Sequence, residues 1–187
     1  MLAAGGGRRY GGPKLLAASR GTSLLRRMVS TALATTGKRT LVVLGAYASR
    51  LGAELEGLPV TQVYNRCWRE GMGTSLAAGI RSLPFSARAA LILPADLFSV
   101  DAGDLARLIE AWRRRPTEPA AASFGGRIGA PAILPREWFE RLRTLQGDLG
   151  ARELLRAATD RVSDVPMPHA ALDLDRRAQR TVALRSR

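Results

Sequence analysis

Cysteine and histidine are nearly absent, with Cys67 and His169 the sole representatives of their types in 187 residues. One thiol excludes an internal disulfide and any cysteine-built zinc site. One imidazole confines a Ser-His-Asp or Cys-His machine to the proline-flanked stretch VPMPHAALDLD, where a surface-loop histidine is the simpler reading. No apolar run approaches the roughly 18 residues that a membrane helix requires. The apolar stretch that comes after Arg8-Arg9 and YGGP is KLLAA, too short for the apolar region of an export signal, so the chain reads as cytoplasmic. Lysine is confined to Lys14 and Lys38, and the net charge of +13 therefore rests on arginine. Those arginines, among them Arg107, Arg113, Arg141, Arg156 and Arg180, are scattered along the chain. Nucleic-acid binding, which draws on clustered cations, is not expected.

What remains is an ordinary globular composition, 46% hydrophobic and 24% charged. The length suits one domain over residues 1–187. Strand-like and helix-like segments alternate, which predicts an α/β layer fold with a mostly parallel sheet. SLLRRMVSTALATTG has helical spacing and stops at Gly37. TLVVLG, VTQVYN, ALILPAD and PAAASF read as strands, and AYASRLGAELEG and the stretch from Ser75 to Leu83 as helices. Asp101 is placed to cap the helix AGDLARLIEAWRRR. Pro135 fits the first turn of REWFERLRTLQ, and Asp148 is placed to open a helix through ELLRAA. RVSDVPM and ALDLD read as short strands before a terminal basic helix. Cys67 reads as a small buried filler.

The chain opens MLAAGGGRRYGGPKLLA, a glycine-rich and basic loop of the kind whose backbone N–H groups close on a phosphate. It fits neither familiar cradle. Counted from Gly5, the dinucleotide pattern G-x-G-x-x-G fails at Tyr10, and the Walker pattern fails because Pro13 precedes Lys14 and Leu15 replaces the hydroxyl. The loop resembles instead the nucleotidyltransferases with a MobA-like domain, whose signature runs L-A-[AG]-G-x-[SG]-x-R-[MF]-G-x-x-K. Leu2, Ala3, Ala4, Gly5, Gly7, Arg9, Gly11 and Lys14 match, with Tyr10 in the Met/Phe slot. NRCWREGMGTSL resembles the N-x-x-W-x-x-G-M-G-x-S-L element of the molybdenum cofactor cytidylyltransferase branch through Asn65, Trp68, Gly71, Met72, Gly73, Ser75 and Leu76. ILPAD resembles the strand that ends in the family's magnesium aspartate, here Asp96. GAP, GDLGAR and ALDLD follow in the family's order. Leu97-Phe98, the missing histidine in Gly129-Ala130-Pro131, and Arg176-Arg177 depart from its usual pattern.

The resemblance implies a three-layer, Rossmann-like nucleotidyltransferase fold whose first strand is cut short at Met1. It also implies transfer of CMP from CTP to molybdopterin with release of pyrophosphate, since the guanylyl branch usually has L-A-G-G where this chain has Leu2-Ala3-Ala4-Gly5. In that scheme the amides of Gly5, Gly6 and Gly7 hold the triphosphate, Arg9 and Lys14 offset charge on the departing pyrophosphate, and Asp96 binds Mg2+. Leu2, Ala3, Ala4, Asn65, Gly71, Met72, Gly73 and Ser75 complete the nucleotide site. Asp173 and Asp175, two apart in a strand, face one side and either complete the ion's shell or cap the terminal helix. Trp68 either stacks on a ring or anchors the loop before it. A same-fold nucleotidyltransferase using another nucleotide or a sugar or polyol phosphate acceptor, and a non-catalytic relative that delivers cofactor to a client molybdoenzyme, are the competing readings.

Overall fold

The computed structural model describes residues 1–19 and 21–171. Asp173, Asp175, most of ALDLD and the expected terminal helix lie outside them. The elements are β1 (Leu2–Ala3), β2 (Ala18–Ser19), β3 (Thr22–Ser23), α1 (Leu24–Thr36), β4 (Leu41–Leu44), α2 (Ala48–Glu54), β5 (Thr61–Tyr64), α3 (Met72–Arg81), β6 (Ala89–Ile92), α4 (Ala102–Arg114), β7 (Ala120–Phe124), β8 (Arg127–Pro135), α5 (Phe139–Arg143), α6 (Ala151–Ala157) and β9 (Ser163–Pro166). Among the described residues β2 and β3 pair only with each other. Local chemistry sets several boundaries. The Ser23 hydroxyl accepts from the N–H of Arg26 to cap α1, and Asp101 and Asp104 form a reciprocal capping box on α4.

β1, β4 and β5 form a parallel group, and β6, β8, β7 and β9 form a second group in that order. Leu2 joins them. Its N–H donates to the Leu93 carbonyl (2.9 Å) and its own carbonyl accepts from Ala95 (3.0 Å), giving the order β5-β4-β1-β6-β8-β7-β9. β8 runs antiparallel to both neighbours, while β9 is parallel to β7. The two-residue alternation of a strand sorts the sheet into faces. Ala120, Ala122, Val42 and Leu44 pack with Leu25 and Met28 of α1 and Leu105 and Leu108 of α4. Ala121, Ala132 and Leu134 pack with Leu76 and Ile80 of α3, Phe139 and Leu142 of α5 and Leu155 of α6. Helices therefore cover both faces, the three-layer arrangement that the resemblance implied.

Three local expectations are corrected. β8 is the longest strand, and only its GAP portion carried a reading from the sequence; Gly125-Gly126 turns the chain so that Phe124 faces Arg127. A glycine pair between two apolar runs is itself a hairpin signal. Pro135 ends β8 instead of opening a helix, and α5 starts at Phe139 after one tight turn. α6 starts after Gly150, whose N–H donates to the Glu153 carboxylate (2.9 Å), so Asp148 does not cap it.

β1 is only two residues long, yet it is central. Its neighbours hold it from both sides, and the Met1 amino group donates to the Leu41 carbonyl (2.7 Å). Burial lowers that amine from 8.0 to about 5. The folded chain then binds fewer protons than the unfolded chain between these values, so its stability falls as pH drops through that interval and levels off below it. A chain starting at Met1 is expected to lose up to about 4 kcal/mol from this group between pH 8 and pH 5. Urea denaturation against an Nα-acetylated chain checks it: the difference in slope between the two is the amine's contribution, and parallel profiles would contradict it.

Candidate active site

The site is built where β1 and the continuation of β6 leave the sheet side by side. Ala3 and Ala4 are buried, and the chain then curls on itself. The Gly7 carbonyl accepts from the N–H groups of both Gly11 (2.9 Å) and Gly12 (3.2 Å), and Lys14 N–H donates to Gly12 (2.8 Å). Gly7 has φ +59, and a Cβ there would sit 2.1 Å from the Gly12 carbonyl oxygen. Only glycine closes this loop. Tyr10 and Leu15, 8% and 6% exposed, root it in the core. Among the described residues, no backbone hydrogen bond uses the N–H of Gly5, Gly6 or Gly7. These are the donors a phosphate needs.

Asp96 follows directly from the segment that pairs with Leu2, held between buried Ala95 and Leu97. Its Oδ2 accepts from Lys14 Nζ at 2.6 Å across the cleft, with 24% and 15% of the two side chains exposed. A cleft of about 280 Å³ opens here, lined by Leu2, Ala3, Gly5, Gly7, Arg9, Lys14 and Asp96 from the predicted set, together with Arg8, Tyr10 and Leu15. The last three were missed as site residues. Arg8 is half of the Arg8-Arg9 pair, and the other two are the apolar positions inside the glycine-rich stretch. A hard oxygen donor already holding a cation at 2.6 Å fits a magnesium-type ion, which takes one or two carboxylates and fills its shell with phosphate oxygens and water. Among the described residues no group of three or more His, Cys, Asp or Glu side chains is gathered to hold a metal.

The second predicted block is not part of this lining. Asn65, 5% exposed, donates through Nδ2 to the hydroxyls of Thr74 (2.9 Å) and Ser75 (3.0 Å) and accepts from Cys67 N–H (3.0 Å). Its amide and Ser75 are thereby committed to binding the turn after β5 to the start of α3. Gly71 (φ +127) and Gly73 admit another part of the chain: a Cβ would lie 2.2 Å from the Gly147 carbonyl at the first and 2.5 Å from that of Leu149 at the second. Met72 is 55% exposed. The block reaches the loop through Trp68, whose ring lies 3.2 Å from the Cβ position of Gly6 and which also packs on Gly45. Arg69 stacks on that ring at 4.6 Å. Of its two readings, the anchoring one describes these contacts. Asn65→Ala removes the donor to Ser75 and Thr74, the latter still bonded to the Cys67 and Gly71 carbonyls, and the acceptor of the Cys67 N–H, so a stability loss of about 1–3 kcal/mol is expected in urea denaturation. An unchanged midpoint would show the network to be idle.

Two further expectations are corrected. Cys67 is exposed, not buried. Hydrogen bonding to Glu70, followed by that carboxylate's charge, raises its thiol above the ordinary value, which disfavours the thiolate. His169 is not a loose surface histidine. Its Nε2 lies 2.6 Å from Oδ2 of Asp104, whose side chain is 2% exposed and whose other oxygen accepts from Arg107. Neither residue lines the cleft. Among the described residues no helix is long and apolar enough to cross a membrane.

Residues 1–162 match the family model for the MobA-like NTP transferase domain. Nicotine blue oxidoreductase of Paenarthrobacter nicotinovorans is 31% identical over 166 residues, covering 83% of this chain and 79% of that protein. The crystal structure of Rv0371c from Mycobacterium tuberculosis H37Rv is similar with a TM-score of 0.82 and 26% identity, covering 100% of this chain and 96% of that one. A manganese complex of Rv0371c from the same organism is similar with a TM-score of 0.78 and 25% identity, over 99% and 95% of the two chains.

Proposed function

The chain belongs to the MobA-like NTP transferase family, and from that premise we propose that it transfers CMP from CTP to molybdopterin with release of pyrophosphate, using Mg2+. The observation that carries this reading is the meeting of Lys14 and Asp96 at 2.6 Å beside a loop whose Gly5, Gly6 and Gly7 N–H groups enter no backbone hydrogen bond among the described residues. A phosphate oxygen of the acceptor attacks the α-phosphorus, the bond from that phosphorus to the bridging oxygen breaks, and pyrophosphate leaves with the electron pair. Position and charge supply most of the acceleration in such a transfer. The N–H groups of Gly5 to Gly7 bind the phosphate chain, and Arg9 and Lys14 neutralise the charge gathering on the leaving group. When bound, a divalent ion at Asp96 supplies Lewis-acid polarisation of the phosphate oxygens. The manganese complex of a protein of like fold supports divalent metal use. Asp173 and Asp175 are assigned as its further ligands on the resemblance alone, and the CTP preference rests on Leu2-Ala3-Ala4-Gly5. Transfer to the acceptor would prepare the cofactor for a client molybdoenzyme.

The test is pyrophosphate release with Mg2+, comparing CTP with GTP and molybdopterin with sugar phosphates. Release with CTP and molybdopterin alone is expected. Release only with a sugar phosphate would keep the nucleotidyl chemistry and reassign the acceptor. A redox reading has one observation in its favour, the 31% identity to a protein named for such an activity. Oxidation of NADH or NADPH without pyrophosphate release would establish it in place of the transferase reading.

A further inference from the structure

Lys14 and Asp96 are both needed by the proposed reaction, yet in the structure each occupies the other. The ammonium lies 2.6 Å from Oδ2 in a partly covered pair. A magnesium-sized ion binds a carboxylate oxygen at about 2.0–2.1 Å. Placed on the same carboxylate, the ion and the ammonium would be near neighbours of like charge in a partly covered cleft, where repulsion exceeds that in bulk water. The two cations therefore compete for one carboxylate.

We propose that Lys14 is an electrostatic interlock: without nucleotide it holds Asp96 and weakens binding of a divalent cation, and a triphosphate in the loop draws the ammonium away and releases Asp96 to the metal. The inference rests on the reading of Asp96 as a metal ligand given above. The geometry assigns the moving part. Asp96 is fixed by buried neighbours on a paired strand end, and the Lys14 backbone is fixed by its bond to Gly12 and by buried Leu15. What remains adjustable is the four-carbon lysine stem, whose point charge follows whichever anion is nearer. The triphosphate supplies that anion at the loop, whose Gly5 and Gly7 line the same cleft. Metal and nucleotide then favour each other by more than chelation alone provides, and the reciprocity of linkage requires the effect in both directions.

Titration of Mn2+, followed by the electron paramagnetic resonance of the unbound ion, tests this without turnover. Lys14→Met is expected to bind Mn2+ alone about fivefold or more tightly than wild type, and Asp96→Asn to remove that site. Arg8→Gln deletes another cation of the cleft lining and is expected to shift Mn2+ affinity by less than about twofold. A non-hydrolysable CTP analogue should tighten Mn2+ binding by a smaller factor in Lys14→Met than in wild type. Lys14→Gln, with circular dichroism on every variant, separates the interlock from misfolding. Unchanged or weaker Mn2+ binding in both folded Lys14 variants overturns the proposal, as does an equal gain in Arg8→Gln. Pyrophosphate release by wild type is scored separately, so loss of the interlock and loss of the transferase reading are distinguishable.

Discussion

Asp96→Asn is expected to lower pyrophosphate release by about a thousandfold or more while leaving the fold intact, a loss at the upper end of what removing one transition-state stabilising group produces. The substitution keeps the shape of the side chain and removes its charge. Among the described residues that charge is the one carboxylate lining the cleft, so on the proposed function its loss disables the ion's ligand there and removes the anion 2.6 Å from Lys14. The stability change is expected to be modest. Both side chains retain contact with solvent, at 15% and 24% exposure, and the roughly 3–5 kcal/mol lost on breaking a fully buried pair does not apply. Steady-state assays with matched urea melts check both halves. Retention of more than about a tenth of the activity would remove Asp96 from the mechanism.

Gly7→Ala is expected to weaken nucleotide binding more than tenfold, and Gly5→Ala, two residues away, to leave the stability nearly unchanged. The contrast comes from backbone geometry. At Gly7 the chain is left-handed (φ +59) and a Cβ would lie 2.1 Å from the Gly12 carbonyl oxygen, an atom that cannot swing aside like the end of a side chain. Left-handed backbone costs an alanine about 1–2 kcal/mol before that clash is counted. Gly12 must therefore move, and with it the bonds that Gly11 and Gly12 donate to Gly7 and the bond that fixes Lys14. At Gly5 no atom of the described residues beyond its chain neighbours lies within 4 Å of the Cβ position. Calorimetric titration of a CTP analogue into both variants, with thermal melts, is the check. Equal binding by Gly7→Ala and wild type would show that the loop does not hold the nucleotide.

The opening loop was legible because its determinants are local. Glycines, a lysine and an arginine within one short stretch specify a turn and its charge wherever the rest of the chain goes. Asp96 was legible for a related reason, since an apolar run ending in a carboxylate places that group at a strand end. The second block was harder. Its motif is as plain as the first, but the glycines at 71 and 73 make room for residues 147–149, and no spacing within the block foretells a contact that distant. Asn65 and Ser75 likewise carry polar side chains that suit a ligand as well as a buried network, and only the fold shows that each is the other's partner. The pairing of His169 with Asp104 spans 65 positions and had no local signal. β8 was read incompletely despite its hairpin glycines because Pro131 interrupts the run. It sits where the β7 pairing shifts register, a place where a strand tolerates proline.

The most direct test of the account follows the α-phosphorus. CTP labelled there is incubated with molybdopterin, Mg2+ and the protein, and the label is located after chromatography. The account predicts label joined to the acceptor in an amount equal to the pyrophosphate released, with neither product formed by Asp96→Asn. Label remaining in CTP in the presence of folded protein and both substrates, or released as free CMP with no acceptor product, would contradict it.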